Sequence, residues 1–325
     1  MFARIMFLAV LAAFSSLAAF AADEVETPPA TECWYPVIGC LKAAEKAFLG
    51  DDVRWGSTHT DDIVHRPFLK NFYKPSINDS IVDQMETVAS RDHAVVNRFL
   101  ADHGFNIELR PFDPTGFGTA AILKVAVEWI EPGYETRIQY RGEDKYPAAH
   151  IEAGIEVRHV MIAESWGVDV VVIRTKTDDV VYLTLREELK NLLGDTSPFR
   201  LTKIANRILS GIPGSELNKD TMGLVVPMVD LNETIDHGWM LGMAAKTAKG
   251  EVYQLDQALQ QTKFALDEFG AKVESAASIA GSKGINMIPP FVIDAPFIAI
   301  VARKGASLPI LVADVGPEFW KRPKR

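Results

Sequence analysis

The sequence has few of the residues that build redox, metal or nucleic-acid sites. Among its 325 residues are two cysteines and seven histidines, and the histidines are scattered along the chain. Lys and Arg number 34 against 43 Asp and Glu, which gives a formal net charge of −9. A nucleic-acid binder needs clustered basic charge to neutralise phosphates, so the composition argues against that class of protein.

Common catalytic motifs are also missing. The sequence contains no nucleophile-elbow serine, phosphate-binding loop or zinc-binding helix motif. Gly116-Phe117-Gly118 lacks the third glycine of a dinucleotide site and is interpreted as a turn. Residues 58–65 hold two histidines and two aspartates, but they match no established ligand spacing. We therefore predict no enzyme activity, no metal site and no cofactor.

The first 21 residues have the pattern of an export signal. Arg4 supplies a positive charge, residues 5–18 form an apolar core, and Ala19-Phe20-Ala21 is a small-x-small cleavage pattern. The alternative is a membrane anchor, but the apolar core is short for a bilayer span, and no later segment offers eighteen apolar residues in a row. We expect cleavage after Ala21 and a secreted or periplasmic protein that is not attached to a membrane.

Both cysteines, Cys33 and Cys40, come shortly after this leader. In an oxidising compartment they could close a small local loop. Their spacing is not the two-residue spacing of redox or metal pairs. The sequence therefore predicts a structural Cys33–Cys40 disulfide.

Hydrophobic periodicity predicts helices first and strands later. Apolar residues at helical spacing predict helices over residues 41–48 and 81–103. Further helices are predicted over residues 186–193 and 201–209. Strands are predicted over residues 107–109, 121–129, 136–140, 155–162, 169–174, 180–185, 224–229 and 257–266. This order indicates an α+β fold and not the regular alternation of a parallel sheet.

Several motifs in the second half of the chain resemble those of the serpin family. Residues 268–271 (Glu-Phe-Gly-Ala) resemble the Glu-x-Gly-Thr opening of the serpin hinge, and they follow the strand-like run 253–266. The other segments that resemble strands or motifs of the family are residues 154–162, 224–228, 241–243, 294–297 and 309–317, and Trp129. The Asn-x-x-Phe-Ser-Pro-x-Ser pattern of the family is absent. The resemblance covers residues 120–320.

This resemblance implies an α+β, serpin-like fold with N-terminal helices, large mixed or antiparallel sheets and an exposed reactive-centre loop. Residues 22–325 then form one domain, in which residues 22–110 are a divergent helical part. The resemblance further implies a monomeric suicide inhibitor of serine proteases. In this mechanism the protease attacks the loop, and the loop then enters the main sheet as an extra strand.

The loop sequence partly supports insertion. Alternate residues of a strand lie on opposite faces, so every second loop residue would face the protein interior. Those interior positions, from Ala271 to Ile279, are small or apolar, whereas the intervening positions are mostly polar. Val273 and Glu274 depart from the alanines that inhibitory members prefer, so a non-inhibitory binding or scaffold protein is the alternative. The hinge residues assigned from the resemblance are Glu268, Gly270, Ala271, Val273, Ser275 and Ala277.

The bond that the protease would attack is expected between Lys283 and Met287. Counting forward from the hinge places it after Gly284, whereas counting back from Pro289-Pro290 places it nearer Asn286. Lys283 would suit a trypsin-like protease and Met287 an elastase- or subtilisin-like one. The reactive region assigned on this basis comprises Lys283, Gly284, Ile285, Asn286 and Met287.

Overall fold

Strands make up most of the regular structure in the computed structural model. It describes residues 28–50, 52–57, 63–142, 144–218, 221–271 and 289–323. The predicted leader and the predicted reactive region lie outside these ranges. No helix within them is long and apolar enough to cross a membrane.

The elements are numbered in chain order. The strands are β1 (Thr31–Glu32), β2 (Arg54–Ser57), β3 (Glu86–Ser90), β4 (Gly118–Ile122), β5 (Val127–Glu128), β6 (Tyr134–Tyr140), β7 (Asp144–Ile151), β8 (Ile155–Ala163), β9 (Trp166–Arg174), β10 (Asp179–Leu185), β11 (Glu216–Asn218), β12 (Leu224–Pro227), β13 (Val229–Asp236), β14 (Met243–Lys246), β15 (Val252–Gln254), β16 (Leu259–Leu266), β17 (Gly270–Ala271), β18 (Phe291–Val292), β19 (Phe297–Arg303) and β20 (Leu311–Val315). The α-helices are α1 (Trp34–Ala44), α2 (His65–Phe68), α3 (Lys74–Ser76), α4 (Ser80–Asp83), α5 (His93–Asp102) and α6 (Arg200–Gly211). Turns of π-helix, Glu45–Leu49 and Leu69–Tyr73, continue α1 and join α2 to α3.

The largest sheet has seven strands in the order β1-β20-β19-β10-β9-β8-β11, and every neighbouring pair is antiparallel. Residues 297–301 of β19 are all buried, because each face of the sheet is covered. Ile298 and Ile300 pack toward Ile204 and Ile208 of α6. The opposite face joins the main hydrophobic core. The strands predicted over residues 169–174 and 180–185 are confirmed as β9 and β10, which form an antiparallel hairpin.

A second sheet has four strands in the order β18-β12-β7-β6, with β18 and β12 parallel. A three-stranded sheet is formed by β15, β14 and β2. The other strands occur as short pairs, β3 with β4, β13 with β16 and β5 with β17. Helix α1 packs under β4, where Gly39 allows a close approach to Met85 and Ala121. The predicted α+β class is confirmed.

The helix predicted over residues 81–103 is wrong in its middle. Helix α4 ends at Asp83, strand β3 follows, and α5 begins only after Asp92. The Asp92 Oδ1 atom accepts a hydrogen bond of 2.9 Å from the Ala94 amide and so caps a new helix. Because β3 pairs along its whole length with β4, tertiary pairing overrides the local apolar spacing. The part of the chain expected to be helical, residues 22–110, therefore also contains β1, β2 and β3.

The predicted Cys33–Cys40 disulfide is also wrong, since both thiols are free. Cys33 immediately precedes α1 and Cys40 lies within it. A helix rises about 1.5 Å per residue, so the two Cα atoms are about 10 Å apart, beyond the reach of a disulfide. Burial raises the pKa of Cys33 to about 12 and that of Cys40 to about 11. Both thiols are therefore protonated at neutral pH, and the two side chains act as uncharged groups in packing.

Candidate functional site: an open groove between two strand pairs

A cavity of about 930 Å³ separates the β3–β4 pair from the β13–β16 pair. One wall is formed by residues 119–127 and the other by residues 259–267. The cavity is also lined by residues in or next to α1 and the seven-stranded sheet, namely Cys33, Pro36, Val37, Cys40, Val301, Ile310 and Leu311. The long predicted strand 121–129 is interrupted where it lines the cavity, so that only its ends form β4 and β5.

The strands that flank this groove each have one open edge. On their far edges β4 pairs with β3 over five residues, and β16 pairs with β13 over eight. Within the described residues, neither β4 nor β16 has a ladder partner on the edge that faces the groove. Unpaired N–H and C=O groups on a strand edge are a template for another strand.

Beside one end of the groove, the chain that leaves β16 makes a tight turn. The Asp267 amide donates to the Gly270 carbonyl over 3.0 Å, which closes the turn. Strand β17 then runs antiparallel to β5, with Gly270 opposite Glu128 and Ala271 opposite Val127. β17 also contacts β16, from which the turn separates it by three residues.

Hydrogen bonds from the segment after β5 to backbone carbonyls hold this turn. The buried Trp129 indole donates to the Asp267 carbonyl over 3.0 Å, and its amide donates to the Phe269 carbonyl over 3.2 Å. The Gly133 amide donates to the Glu268 carbonyl over 2.7 Å. Gly270 has a φ of +153°, and a Cβ atom there would overlap the Val127 carbonyl oxygen. The close approach of β17 to β5 therefore requires glycine at this position.

A strap, defined here as residues 104–110, crosses the groove from the end of α5 to β16. The Lys263 ammonium donates to the Gly104 carbonyl over 2.5 Å, and Gln261 Oε1 accepts a hydrogen bond of 2.9 Å from the Asn106 amide. Both side chains extend from β16, so one groove wall holds the strap. Residues 107–109, predicted as a strand, lie in the strap and belong to no ladder.

His103 fixes the start of the strap to the opposite wall. Its Nδ1 atom lies 2.7 Å from the Phe99 carbonyl oxygen, and its Nε2 atom lies 2.9 Å from Glu86 Oε2 on β3. Both partners are acceptors, so the arrangement favours the imidazolium, and these hydrogen bonds raise the pKa of His103. The same contact, together with Lys124, lowers the pKa of Glu86.

The inner side of the β16 wall carries buried polar side chains. Gln260 donates to the Cys33 carbonyl over 2.7 Å, and its Oε1 atom lies 2.7 Å from His237 Nε2. Burial lowers the pKa of His237, so this imidazole is neutral and donates to Gln260. The buried Thr262 hydroxyl has no hydrogen-bond partner in the described part of the chain. An unpaired buried hydroxyl lowers stability, as the buried Thr184 hydroxyl of β10 also does in the seven-stranded sheet.

The structure covers only part of the hinge assigned from the sequence. Gly270 and Ala271 lie in β17, and the Glu268 side chain beside them is only 7% exposed. Its Oε1 atom accepts a hydrogen bond of 3.1 Å from Arg322 Nη2. The assigned residues that lie outside the described ranges are Val273, Ser275, Ala277, Lys283, Gly284, Ile285, Asn286 and Met287. The roles of all these hinge and loop residues remain predictions.

Sequence reasoning assigns no role to Arg322. Its two acidic neighbours, Glu135 and Glu268, lie far away in the sequence. No local pattern signals such a contact. The groove and the strap are likewise not assigned from the sequence, because both depend on contacts between distant parts of the chain.

Nothing in the described ranges forms an obvious metal site. No group of three or more His, Cys, Asp and Glu side chains there could hold a metal ion. His65, from the segment 58–65, has its Nε2 atom 2.6 Å from the Trp239 carbonyl oxygen and its Nδ1 atom 3.0 Å from the Ser57 hydroxyl. Both ring nitrogens therefore have protein partners.

Comparisons with known proteins give matches among solved structures alone. No protein-family model matches the sequence, and no curated protein sequence is similar to it. The chain is similar to a serpin from Schistosoma mansoni, at 16% identity over 69% of this chain and 63% of the other, with a TM-score of 0.48. It is also similar to Serpin48 of the insect Tenebrio molitor, at 12% identity over 67% and 62% and a TM-score of 0.44. These two structures are serpins.

Of two further similar structures, one is named as a protease inhibitor and the other as a hormone-binding globulin. Mouse protein-Z-dependent protease inhibitor matches at 14% identity over 84% of this chain and 75% of its own, with a TM-score of 0.42. Human thyroxine-binding globulin, solved with its hormone, matches at 13% identity over 67% and 62%, with a TM-score of 0.41. The matched region thus spans less than two thirds of most of these chains. The likeness to serpins expected from the sequence is found again as a likeness of fold, and it assigns no role to any residue.

Proposed function

We propose that the protein is a protease inhibitor that acts as a suicide substrate. In this proposal the chain after Ala271 is the bait, and the groove between β4 and β16 receives the cleaved loop as a new strand. The observation that carries the proposal is the pair of open strand edges facing one cavity, with β17 already paired at one end. If the chain after β17 continued in the same register, it would run along the β4 wall, as insertion requires.

Filling the groove with a strand is energetically favourable. A net gain of about 1 kcal/mol for each backbone hydrogen bond means that a strand paired along both edges gains on the order of 10 kcal/mol. The inserted residues also replace solvent next to apolar wall residues such as Leu123 and Val125. Ordering the loop costs about 1–2 kcal/mol per residue, so the net gain is smaller than this sum. In the proposal, this net gain drives distortion of the attached protease.

The register of β17 sets which loop positions would enter the core side. Position 271 is opposite Val127, which is 1% exposed and belongs to the main core. If the same ladder continues, positions 273, 275 and 277 share that parity, as the sequence pattern predicts. Ser278 has the opposite parity and would take the outer face.

The target in this proposal is a serine protease that cleaves between Lys283 and Met287. The predicted leader would take the protein to the periplasm or the exterior, where it would meet such an enzyme as a monomer. No cofactor is needed, because the acyl-enzyme bond and strand insertion supply both the trap and its driving force.

Incubation with a panel of serine proteases tests the proposal. We expect a covalent complex that survives denaturing gel electrophoresis with at least one of them. Ser275→Arg should abolish the complex and leave only cleaved inhibitor, because insertion would bury an unpaired charge. Ser278→Arg makes the same chemical change at the opposite parity and should still form the complex. Equal behaviour of the two variants would contradict strand insertion.

The second candidate is a non-inhibitory binding or scaffold protein with the same fold. Glu274 and Val273 favour it, because charged or bulky hinge residues hinder insertion. The two candidates differ after a nick between Lys283 and Met287. Insertion should raise the melting temperature strongly. If the loop only connects surface elements, the nick should leave the melting temperature nearly unchanged or decrease it.

A further inference from the structure

The segment that follows β20, residues 316–323, reaches the end of the groove where β17 pairs with β5. This end is called the closed end. Trp320 is buried and packs edge-on against Tyr140 and Tyr146, with ring centroids 5.3 and 5.1 Å away. Pro323, three residues later, lines the groove itself. Trp320 therefore anchors the segment and places the intervening side chains beside the hinge.

Arg322 links this segment to the hinge. Its Nη2 atom lies 3.1 Å from Glu268 Oε1 and 2.9 Å from Glu135 Oε2 on β6. The three side chains differ in exposure, at 53% for Arg322, 44% for Glu135 and 7% for Glu268. The contact therefore compensates a carboxylate that is almost fully buried, which distinguishes it from an ordinary surface ion pair.

The position of Glu268 explains why this compensation matters. Its carbonyl oxygen accepts the Gly133 amide, and the next carbonyl, that of Phe269, accepts the Trp129 amide. Side chain and backbone thus hold the same turn from two directions. Two residues beyond Glu268, β17 is in register with β5. A shift of the turn would move the start of that ladder.

We infer that Arg322 is a positioning residue for the hinge, holding the turn at residues 267–270 so that the chain enters the groove in register with β5. Its effect on turn geometry stands on the contacts alone. Its effect on inhibition rests on the proposed function, because it assumes that the following residues insert.

Amide hydrogen exchange tests the positioning role without any protease. In Arg322→Gln, exchange of the Trp129 and Gly133 amides should speed up by about threefold or more, because their acceptors lie in the turn. Lys321→Gln removes the same charge from an exposed neighbour and should leave both amides unchanged. Arg322→Lys keeps the charge and should restore much of the protection. Unchanged exchange in Arg322→Gln would overturn the inference.

The stoichiometry of inhibition tests the consequence. A poorly positioned hinge should slow insertion, so Arg322→Gln should need more inhibitor per trapped protease, with the association rate unchanged. An unaltered stoichiometry despite lost amide protection would refute a role in insertion. If the wild-type protein traps no protease, the proposed function fails, and the exchange result alone decides whether Arg322 positions the turn.

Discussion

The strands of the seven-stranded sheet and those of the groove walls differ in how many of their edges are paired. In the sheet, β10 and β19 pair over seven residues, each has a partner on its other edge, and the core side chains of β19 are inaccessible to solvent. In the groove walls, β4 and β16 have partners on one edge only within the described residues, and a cavity of about 930 Å³ lies between them.

This difference separates a rigid frame from a part that can still gain structure. Local stability follows buried apolar contact and protected hydrogen bonds, both of which are richer in the sheet. Among the described residues, the groove walls have strand edges without a ladder partner, and the proposed function has the cleaved loop fill this place. Variants that act on one region and spare the other can test this division.

The largest effect is expected when one apolar side chain in each region is truncated to alanine. Ile300→Ala removes a fully buried side chain from the sheet and should lower the free energy of unfolding by about 2–5 kcal/mol. Leu123→Ala removes a half-buried side chain from the groove wall and should cost about 1 kcal/mol. Urea denaturation of both variants measures the difference. Equal losses would mean that the wall is as tightly packed as the frame.

A smaller effect is expected at the closed end of the groove. Gly270→Ala would place a Cβ atom against the Val127 carbonyl and should destabilise the protein by about 1–3 kcal/mol while detaching β17. Gly250→Ala is the matched control, because Gly250 also has a positive φ, +84°, but nothing lies within 4 Å of the new Cβ atom. Only the first variant should accelerate exchange of the Trp129 amide. Matching exchange in the two variants would show that backbone strain alone is responsible.

Detaching the strap should cost less again. Lys263→Met removes the hydrogen bond to Gly104 and the contact with the Phe105 ring, so we expect a loss of no more than about 1 kcal/mol. Hydrogen exchange should nevertheless increase at the Asn106 amide, beside the lost contact. Lys249→Met, in an exposed turn, serves as the control. If the strap keeps its protection, Gln261 is sufficient to hold it.

The smallest effect is a pH dependence at His103. Its pKa is raised above the ordinary value of 6.5 by acceptors at Phe99 and Glu86, with Lys124 on the far side of Glu86 opposing it. Its stabilising contribution is therefore complete below pH 6.5 and is lost as pH rises through the folded-state pKa. The stability difference between wild type and His103→Gln should shrink from pH 6 to pH 8.5. A difference that grows over this range would contradict the proposed charge state.

The sequence predicts the fold best where pairing is local or apolar runs are long. The β9–β10 hairpin and β16 follow from alternation and turn residues, and the hinge motif places Gly270 where the structure needs a glycine. The strand β3 could not be found in this way, since its five residues lie between two helices and owe their conformation to β4.

The site escapes local patterns for the same reason. A groove is defined by what two distant strands leave unpaired, and no residue type marks that absence. The free Cys33 and Cys40 illustrate the opposite error, in which closeness in the sequence and an expected oxidising compartment predict a disulfide although the residues between them form a helix. Arg322 needed the full topology, because its partners come from β6 and the hinge turn.

The order of the seven-stranded sheet has a consequence for how the chain reaches this state. Strand β1, at residues 31–32, pairs with β20, at residues 311–315, so nearly the whole described chain must be present before that edge can form. Contacts of such sequence separation make folding slow and let local hairpins such as β9–β10 form first. The two groove walls also come from distant parts of the chain, near residues 119–127 and 259–267, so the groove forms late as well. Under the proposed insertion mechanism, a chain assembled in this order is trapped with an unfilled groove before its most stable arrangement is found.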